Sequence, residues 1–210
     1  NIPESVISIG KDAFQQNSSL KLISIPNSIS SKSIGIDNNN VKIISNKDES
    51  KSLYEYGLEF YNGSSVSMNK TESLKYFKLS GYPPAICQCG HMHEIGEGVE
   101  INKSEAINFY LESISKGNAR AMYKYASMLF HGKGVPVNKE EAIKYFKMAA
   151  DGGNSDAMNS YASKLDIGNG VEKNKKEAIK YYKMASDAGH SIAMNNYAMK
   201  LFNGDGIEVN

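Results

Sequence analysis

The sequence has no tryptophan and only two cysteines among its 210 residues, and its formal net charge is +1. Cys87 and Cys89 are too close in sequence to join distant parts of a fold by disulfides, so we expect a reducing compartment, with the cytoplasm favoured. No apolar run approaches the roughly 18 residues of a membrane helix. The near-neutral charge argues against nucleic acid as the main partner, because phosphate binding requires a concentrated basic face.

What the sequence does contain is a repeat of 36 residues. A Gly-x-Gly-Val/Ile element recurs at this spacing, starting at Gly96, Gly132, Gly168 and Gly204. The same spacing relates alanines, glycines and tyrosines at Ala106, Ala142 and Ala178, at Gly81, Gly117, Gly153 and Gly189, and at Tyr125, Tyr161 and Tyr197. A fixed period of this length is typical of stacked repeats, which more often hold other proteins than catalyse reactions.

The unit that begins at Ala121 shows how each repeat is expected to fold. Apolar residues from Ala121 to Leu129 follow helical spacing, which predicts a first helix. Gly132 ends this helix, because glycine adopts the left-handed conformation that a helix C-terminus needs. Asn138 then caps a second helix, with Glu141 three residues later in a capping-box pattern. We therefore predict an antiparallel helix pair in each unit, stabilised by its neighbours.

The predicted cap recurs in every copy, as Asn69 with Glu72, Asn102 with Glu105, Asn138 with Glu141 and Asn174 with Glu177. The first copy departs from the pattern, because three residues are missing before Gly81 and two prolines, Pro83 and Pro84, follow it. Proline disfavours early re-entry into a helix, so we expect the next helix to begin later. The last copy stops at Asn210, where a second helix is expected, and the first residue is not methionine, so we expect the natural chain to extend further at both ends.

Residues 1–45 follow a different rule. Ile2-Pro3-Glu4-Ser5-Val6 recurs 23 positions later as Ile25-Pro26-Asn27-Ser28-Ile29. Apolar residues alternate at Leu20-Leu22 and Ile23-Ile25, which predicts one short strand per turn of a leucine-rich repeat, and Val41 to Ile44 are expected to form a last strand. The polar residues 46–52 are expected to link this segment to the helical repeats.

These patterns match two known families. The helical unit, from Ala121 through Tyr125, Gly132-x-Gly134 and Tyr145-Phe146 to Ala157, resembles the Sel1-like repeat, a relative of the tetratricopeptide repeat. The N-terminal segment is similar to the BspA-type leucine-rich repeat, carried by Ile2-Pro3, Ile9-Gly10, Ala13-Phe14 and Ile25-Pro26. The expected fold is mainly α, a right-handed α-solenoid of antiparallel helix pairs with a short N-terminal leucine-rich-repeat β segment. Its expected units are residues 53–86, 87–122, 123–158, 159–194 and 195–210.

The resemblance implies a scaffold or adaptor that binds a protein or peptide, with no catalytic residues and no cofactor. In relatives, the first helices line the concave face, and the residues expected there are Lys124, Ser127, Met128, His131, Ser160, Ser163, Asn196 and Met199. Two alternatives remain open. The segment could be the recognition region of a larger multidomain protein such as a kinase. It could also belong to a cell-surface adhesion protein, which the leucine-rich segment and the Asn-x-Ser/Thr sequons at Asn17, Asn62, Asn69 and Asn102 favour.

One cluster carries metal-ligating residue types, at Cys87, Cys89, His91 and His93. On a helix, Cys89 and His93 share one face while Cys87 and His91 share another, so the four cannot close a single tetrahedral site. We therefore predict that Cys89 and His93 occupy core positions, that His91 is exposed, and that no metal binds unless this stretch is unwound. The Gly-x-Gly turns follow helices rather than strands, which also argues against a phosphate-binding loop.

Overall fold

The computed structural model describes residues 22–25, 42–45 and 49–205. Two short strands, β1 (Leu22–Ile25) and β2 (Lys42–Ser45), pair in parallel with Leu22 opposite Lys42. The rest of the predicted leucine-rich segment, over residues 1–21 and 26–41, lies outside the described residues, as do residues 46–48 of the predicted linker. The leucine-rich repeat therefore stays a prediction.

Nine helices lie within the described residues. They are α1 (Glu49–Asn62), α2 (Lys70–Ser80), α3 (Pro83–Ile95), α4 (Lys103–Ser115), α5 (Ala119–His131), α6 (Lys139–Asp151), α7 (Ser155–Ile167), α8 (Lys175–Asp187) and α9 (Ser191–Asn203). The predicted helix pairs are confirmed: α5 packs against α6, and α7 against α8. The chain divides into two compact units, Asn1–Ala85 and Ile86–Asn210. Within the described part, every helix is too short or too polar to cross a membrane.

The helix boundaries differ from the predicted units in two ways. The first helices α3, α5, α7 and α9 begin four residues before the predicted unit starts at 87, 123, 159 and 195. The predicted linker at residues 46–52 overlaps α1, which begins at Glu49. The first helices recur every 36 residues but begin ahead of the expected unit boundaries, because periodicity alone does not mark where a helix starts.

In the first unit, α1 packs against α2 around Phe77, whose side chain is fully buried. Gly57 allows this approach, because a Cβ at that position would lie only 2.7 Å from the Phe77 ring. The Ser73 hydroxyl donates a hydrogen bond of 2.8 Å to the carbonyl oxygen of Gly57. A missing side chain and a short polar one thus bring the two helices together.

The two prolines do not delay the start of the next helix, as we expected them to. Pro83 is the first residue of α3, and Pro84 follows in its first turn. Proline is tolerated there because the first N–H groups of a helix have no partner within the helix. The expectation was wrong because it applied the rule for helix interiors to a helix start. Gly81, with φ of 61°, ends α2 two residues earlier.

In the second unit, the helices meet through small residues. Ala106, Ala142 and Ala178, one per repeat, are fully buried. Larger side chains fill the space around them, and the main cluster includes Phe146 and Tyr182. An alanine at each close approach lets neighbouring helices pack tightly, so each unit is stabilised by the next.

The connection between α5 and α6 shows how a first helix is joined to its second. Gly132 ends α5 with a φ of 70°. The Asn138 side chain accepts a hydrogen bond of 3.1 Å from the Glu141 N–H, which confirms the predicted cap. In a standard capping box the glutamate would bind the cap residue's own N–H. Here that N–H donates instead to the Leu129 carbonyl, at 2.9 Å, and Glu141 accepts from the Asn138 side-chain amide.

The same backbone hydrogen bond recurs in the other described connections from a first helix to its second helix. Each is 2.9 Å long, and the donor N–H and the acceptor carbonyl belong to Asn69 and Phe60, Asn102 and His93, and Asn174 and Leu165. One asparagine therefore starts the second helix and also holds the end of the first. A second set of caps, which the sequence analysis missed, starts the first helices at Asn118, Asn154 and His190. They also recur every 36 residues, which was the signal that could have revealed them.

We expect Asn138→Ala to lower the free energy of unfolding by about 1 kcal/mol, because it removes the side-chain acceptor of the α6 cap. Chemical denaturation followed by circular dichroism measures this loss. Asn138→Ser keeps a capping oxygen and should restore most of it. Asn108→Ala is the control, since Asn108 is an exposed position of α4. A cap variant as stable as the wild type would show that the backbone tie to Leu129 alone holds the connection.

Candidate protein-binding surface

Polar positions recur at the same places on the first helices of the second unit. Lys124 of α5 is followed at 36-residue spacing by Ser160 of α7 and Asn196 of α9. These three side chains are half-buried, while His131 and Met199 are exposed. Because residues three and four apart share one side of a helix, the members on each helix form a stripe. We call the set the first-helix surface, and its members are Lys124, Ser127, His131, Ser160, Ser163, Asn196 and Met199.

Contacts between successive first helices hold this surface together. The Asn196 side-chain amide of α9 donates a hydrogen bond of 3.0 Å to the Asn159 side-chain oxygen of α7. Between α7 and α5, the Lys164 ammonium lies 4.5 Å from the centre of the Phe130 ring. Burial is the main cause that lowers the pKa of Lys164, and the charge of Lys139 adds to it. The stripes on the three helices therefore lie side by side.

Met128 was predicted to belong to this surface, and for this residue the structure contradicts the prediction. Its side chain is 1% exposed and packs in a cluster with Cys87, Tyr110 and Ala121. It lies at the edge of the α5 stripe that faces the preceding helices, where α3 and α4 cover it. Helical spacing places a residue around its own helix, but it does not tell which edges a neighbour covers.

Ser163 also has an inward partner. Its hydroxyl is hydrogen-bonded to Tyr182, a side chain of α8 that is 4% exposed. Burial is the main cause that raises the pKa of Tyr182, and the bond with Ser163 opposes this rise. Ser163 therefore contributes less hydrogen-bonding capacity to the surface than Ser160, whose hydroxyl has no partner in the described part of the chain.

At the α3 end, a polar cluster borders the surface. The Tyr110 hydroxyl donates a hydrogen bond of 2.7 Å to a Glu94 oxygen, and the His91 Nδ1 lies 3.7 Å from the same oxygen. His91 and Tyr110, together with the charge of Lys124, lower the pKa of Glu94 to about 2 despite its burial. Glu94 is therefore ionised at neutral pH and partly balances Lys124.

The cysteine and histidine cluster lies in this same region and mainly in the core. Cys89 and His93 are buried, as predicted, while His91 is half-buried beside Glu94 rather than exposed. Cys87 is also buried, and burial raises the pKa of its thiol to about 11, so the thiol is protonated at neutral pH. Among residues 22–25, 42–45 and 49–205, no three His, Cys, Asp or Glu side chains are grouped so that they could hold a metal.

The sequence analysis missed one charged residue beside this surface. Arg120 is exposed on α5, one turn before Lys124. With His131 at the other end of the helix, the α5 stripe carries two basic side chains and an imidazole. The α7 and α9 stripes carry hydroxyl, amide and thioether groups instead. Arg120 lies four residues before Lys124, so applying the helical spacing one turn further towards the start of α5 would have identified it.

The helical region is similar to known repeat proteins. The profile of the Sel1 repeat matches residues 50–81, 83–118, 119–154, 155–190 and 191–210. A solved Sel1 repeat protein from Oxalobacter formigenes is 25% identical, with a TM-score of 0.72, and the alignment covers 78% of this chain and 68% of that chain. No curated protein matches the sequence at a significant level.

Two further solved structures share the fold. A protective antigen of uropathogenic Escherichia coli that displays an SLR fold is 24% identical, with a TM-score of 0.69, over 77% of this chain and 35% of that chain. Cysteine-rich protein B of Helicobacter pylori is 22% identical, with a TM-score of 0.50, over 63% of this chain and 98% of that chain. At these identities, the likeness extends to the fold alone.

Proposed function

The chain belongs to the Sel1 repeat family, whose members are generally non-catalytic protein-interaction scaffolds, and we propose that its first-helix surface binds a segment of a protein partner. The observation that carries the proposal is the register of polar positions on three successive first helices. Lys124, Ser160 and Asn196 occupy one repeat position without an apolar side chain among them. Polar side chains that a rigid stack holds in line suit recognition of a partner.

The chemistry of the surface favours a partner segment with a particular order of groups. Arg120 and Lys124 attract an acidic side chain or a carboxylate to the α5 end. Ser160 and Asn196 offer hydrogen bonds to backbone or amide groups along α7 and α9, and Met199, which is 52% exposed, offers an adaptable apolar contact. We therefore expect a segment that is acidic at one end and neutral at the other.

The proposal can be tested with two variants that lower the net charge equally. The surface variant is Lys124→Glu with Ser160→Glu and Asn196→Glu. The control variant is Lys133→Glu with Lys173→Glu, at exposed turn positions. Each is used as bait for capture from the source cell's lysate, with mass spectrometry as the readout, after circular dichroism has confirmed that it folds.

We expect partners of the wild type to be retained by the control variant and lost by the surface variant, with affinity reduced about tenfold or more. Retention of every captured partner by the surface variant would show that binding occurs elsewhere. Loss by both variants would show that total charge, and not this surface, governs capture.

We also propose that residues 1–45 form a BspA-type leucine-rich repeat segment. The 23-residue spacing of Ile2-Pro3 and Ile25-Pro26 supports this, as does the parallel pairing of β1 with β2, which a strand-per-turn repeat requires. Cross-strand nuclear Overhauser effects between Ile23 and Ile43, which are paired in the structure, would test the strand register. Their absence would contradict the proposal that residues 1–45 form a leucine-rich repeat segment.

A further inference from the structure

A cavity of about 540 Å³ lies between the second helices α4 and α6. Its apolar wall is formed by Ile114, Tyr145 and Met148, and its polar lining includes Glu140, Glu141 and Lys144. The volume lies within the range of about 300–1,000 Å³ that is usual for ligand pockets. Met148 is 49% exposed, so a partner could reach the wall directly.

The equivalent groove between α6 and α8 is closed by side chains of the protein itself. Tyr181, which follows Tyr145 by 36 residues, is 3% exposed. Its hydroxyl donates a hydrogen bond of 2.7 Å to Asp151 and accepts one of 3.2 Å from the Lys147 ammonium. Lys147 and Asp151 are also bonded to each other, at 2.8 Å. A lysine and an aspartate of the preceding helix therefore cover this tyrosine.

On α4, the residues at these two positions are different. Leu111 stands where α6 has Lys147, and Ser115 stands where it has Asp151. Neither supplies a charge, and the Ser115 hydroxyl donates to the Glu112 carbonyl of its own helix. Tyr145 is accordingly only half-buried, and its hydroxyl has no hydrogen-bond partner among residues 49–205. Two substitutions relative to the next repeat thus leave the groove open.

We propose that this cavity binds a lysine side chain presented by a partner protein, which occupies the place that Lys147 takes at Tyr181. The methylene stem would lie against Ile114 and Met148, and the ammonium would meet the Tyr145 hydroxyl. Its counter-ion would be Glu141, which lines the same cavity, because Ser115 stands where Asp151 binds Lys147. This site is separate from the first-helix surface and does not depend on the function proposed for it.

Charge in the cavity favours a cation. Glu140 lies 3.5 Å from Lys144, and both side chains are largely exposed at the rim. Glu141 accepts from the neutral Asn138 amide and forms no ion pair within the described residues. A lysine that enters beside Glu141 therefore gains a counter-ion that no residue of the protein already occupies.

The protein also uses lysines against aromatic rings elsewhere. The Lys147 ammonium lies 5.9 Å from the centre of the Tyr181 ring, and the Lys70 ammonium lies 3.1 Å from the centre of the Tyr61 ring. Such contacts combine an apolar stem with attraction between the cation and the ring. Tyr145 offers the same ring, and no lysine of residues 49–205 lies over it.

A short acetylated and amidated peptide with the centre Leu-Lys-Leu, flanked by glycines and serines, is the probe. Methionine methyl groups labelled with ¹³C report its binding, because Met148 lies in the cavity wall. We expect a saturable shift of the Met148 methyl signal at millimolar peptide. Replacement of the peptide's lysine by norleucine should weaken binding about tenfold. No Met148 shift, or equal binding of the norleucine peptide, would overturn the proposal.

Matched protein variants test which carboxylate of the protein binds the ammonium of the peptide. Glu141→Gln should weaken binding about tenfold, because it removes the counter-ion but keeps the shape. Glu177→Gln, the same change at the closed α6–α8 groove, should leave binding unchanged. Equal effects of the two substitutions would contradict the assignment of the ammonium to Glu141.

Closing and opening the grooves gives the decisive comparison. Leu111→Lys with Ser115→Asp recreates the Lys147–Asp151 pair over Tyr145 and should abolish the Met148 shift. Lys147→Leu with Asp151→Ser should open the groove at Tyr181, so that the peptide also shifts the methyl signal of Met184, the equivalent of Met148. Peptide binding by the closed variant at the wild-type affinity would show that the cavity is not the site.

Discussion

Tyr110→Ala is expected to lower the free energy of unfolding of the second unit by about 3–5 kcal/mol. Tyr110 is fully buried and is among the largest fully buried side chains of the described residues. Its ring lies against the backbone of α3, since a Cβ at Gly90 would be only 2.8 Å from it. Rigid backbone on that side prevents the surroundings from collapsing into the space, so truncation would leave a cavity. It would also remove the hydroxyl that donates to Glu94.

Chemical denaturation of the wild type and of two variants separates these causes. Tyr110→Phe keeps the ring and loses only the hydrogen bond to Glu94, so it should cost about 1–3 kcal/mol. The difference between Tyr110→Phe and Tyr110→Ala then measures the packing of the ring. If Tyr110→Ala cost no more than Tyr110→Phe, the ring would contribute nothing and the proposed cause would be wrong.

Phe146→Ala is expected to have an effect of similar size, about 3–5 kcal/mol, in the larger core cluster. Phe146 is 2% exposed, and its ring centre lies 6.1 Å from that of Phe130 and 5.9 Å from that of Tyr123. The ring of α6 therefore fills the space beside α5. Because stacked repeats are stabilised mainly by their neighbours, the loss of stability should extend beyond α6 to the helices packed against it.

Hydrogen–deuterium exchange, read by peptide mass spectrometry, shows how far this damage spreads. In Phe146→Ala we expect faster exchange in α5, α6 and α7, together with a lower denaturation midpoint. Met148→Ala is the control on the same helix, and because Met148 is 49% exposed its effect should lie within about 0.5 kcal/mol. Faster exchange confined to α6 would contradict stabilisation by neighbouring repeats.

The helix pairs could be predicted because the interactions that form them are local. Gly132 ends α5, and Asn138 caps α6 through the N–H of a residue three positions later. Interactions over so few positions can be recognised from neighbouring residues in the sequence. Their recurrence every 36 residues makes the pattern easier to recognise. Pro83 was misinterpreted for a related reason, since its effect depends on whether it stands at a helix start or inside a helix.

The composition of the first-helix surface could be predicted only in part. Helical spacing placed Lys124, Ser160 and Asn196 at one repeat position, but it also included Met128, which is buried. Met128 and Lys124 are close around the axis of α5, and they differ only in what lies next to them. The covering side chains come from α3 and α4, so the difference could not be read from α5 alone.

The sequence by itself determined the period, the antiparallel pairs and the asparagine caps, because each depends on residues within a few positions or on strict repetition. Only the tertiary structure decided which edges of the helices are covered and where a cavity remains. Tyr181 is covered by Lys147, a residue 34 positions away, whereas Tyr145 has Leu111 at that distance. Contacts over such a separation arise only when neighbouring helices stack, so two substitutions close or open a groove without changing the helices that form it.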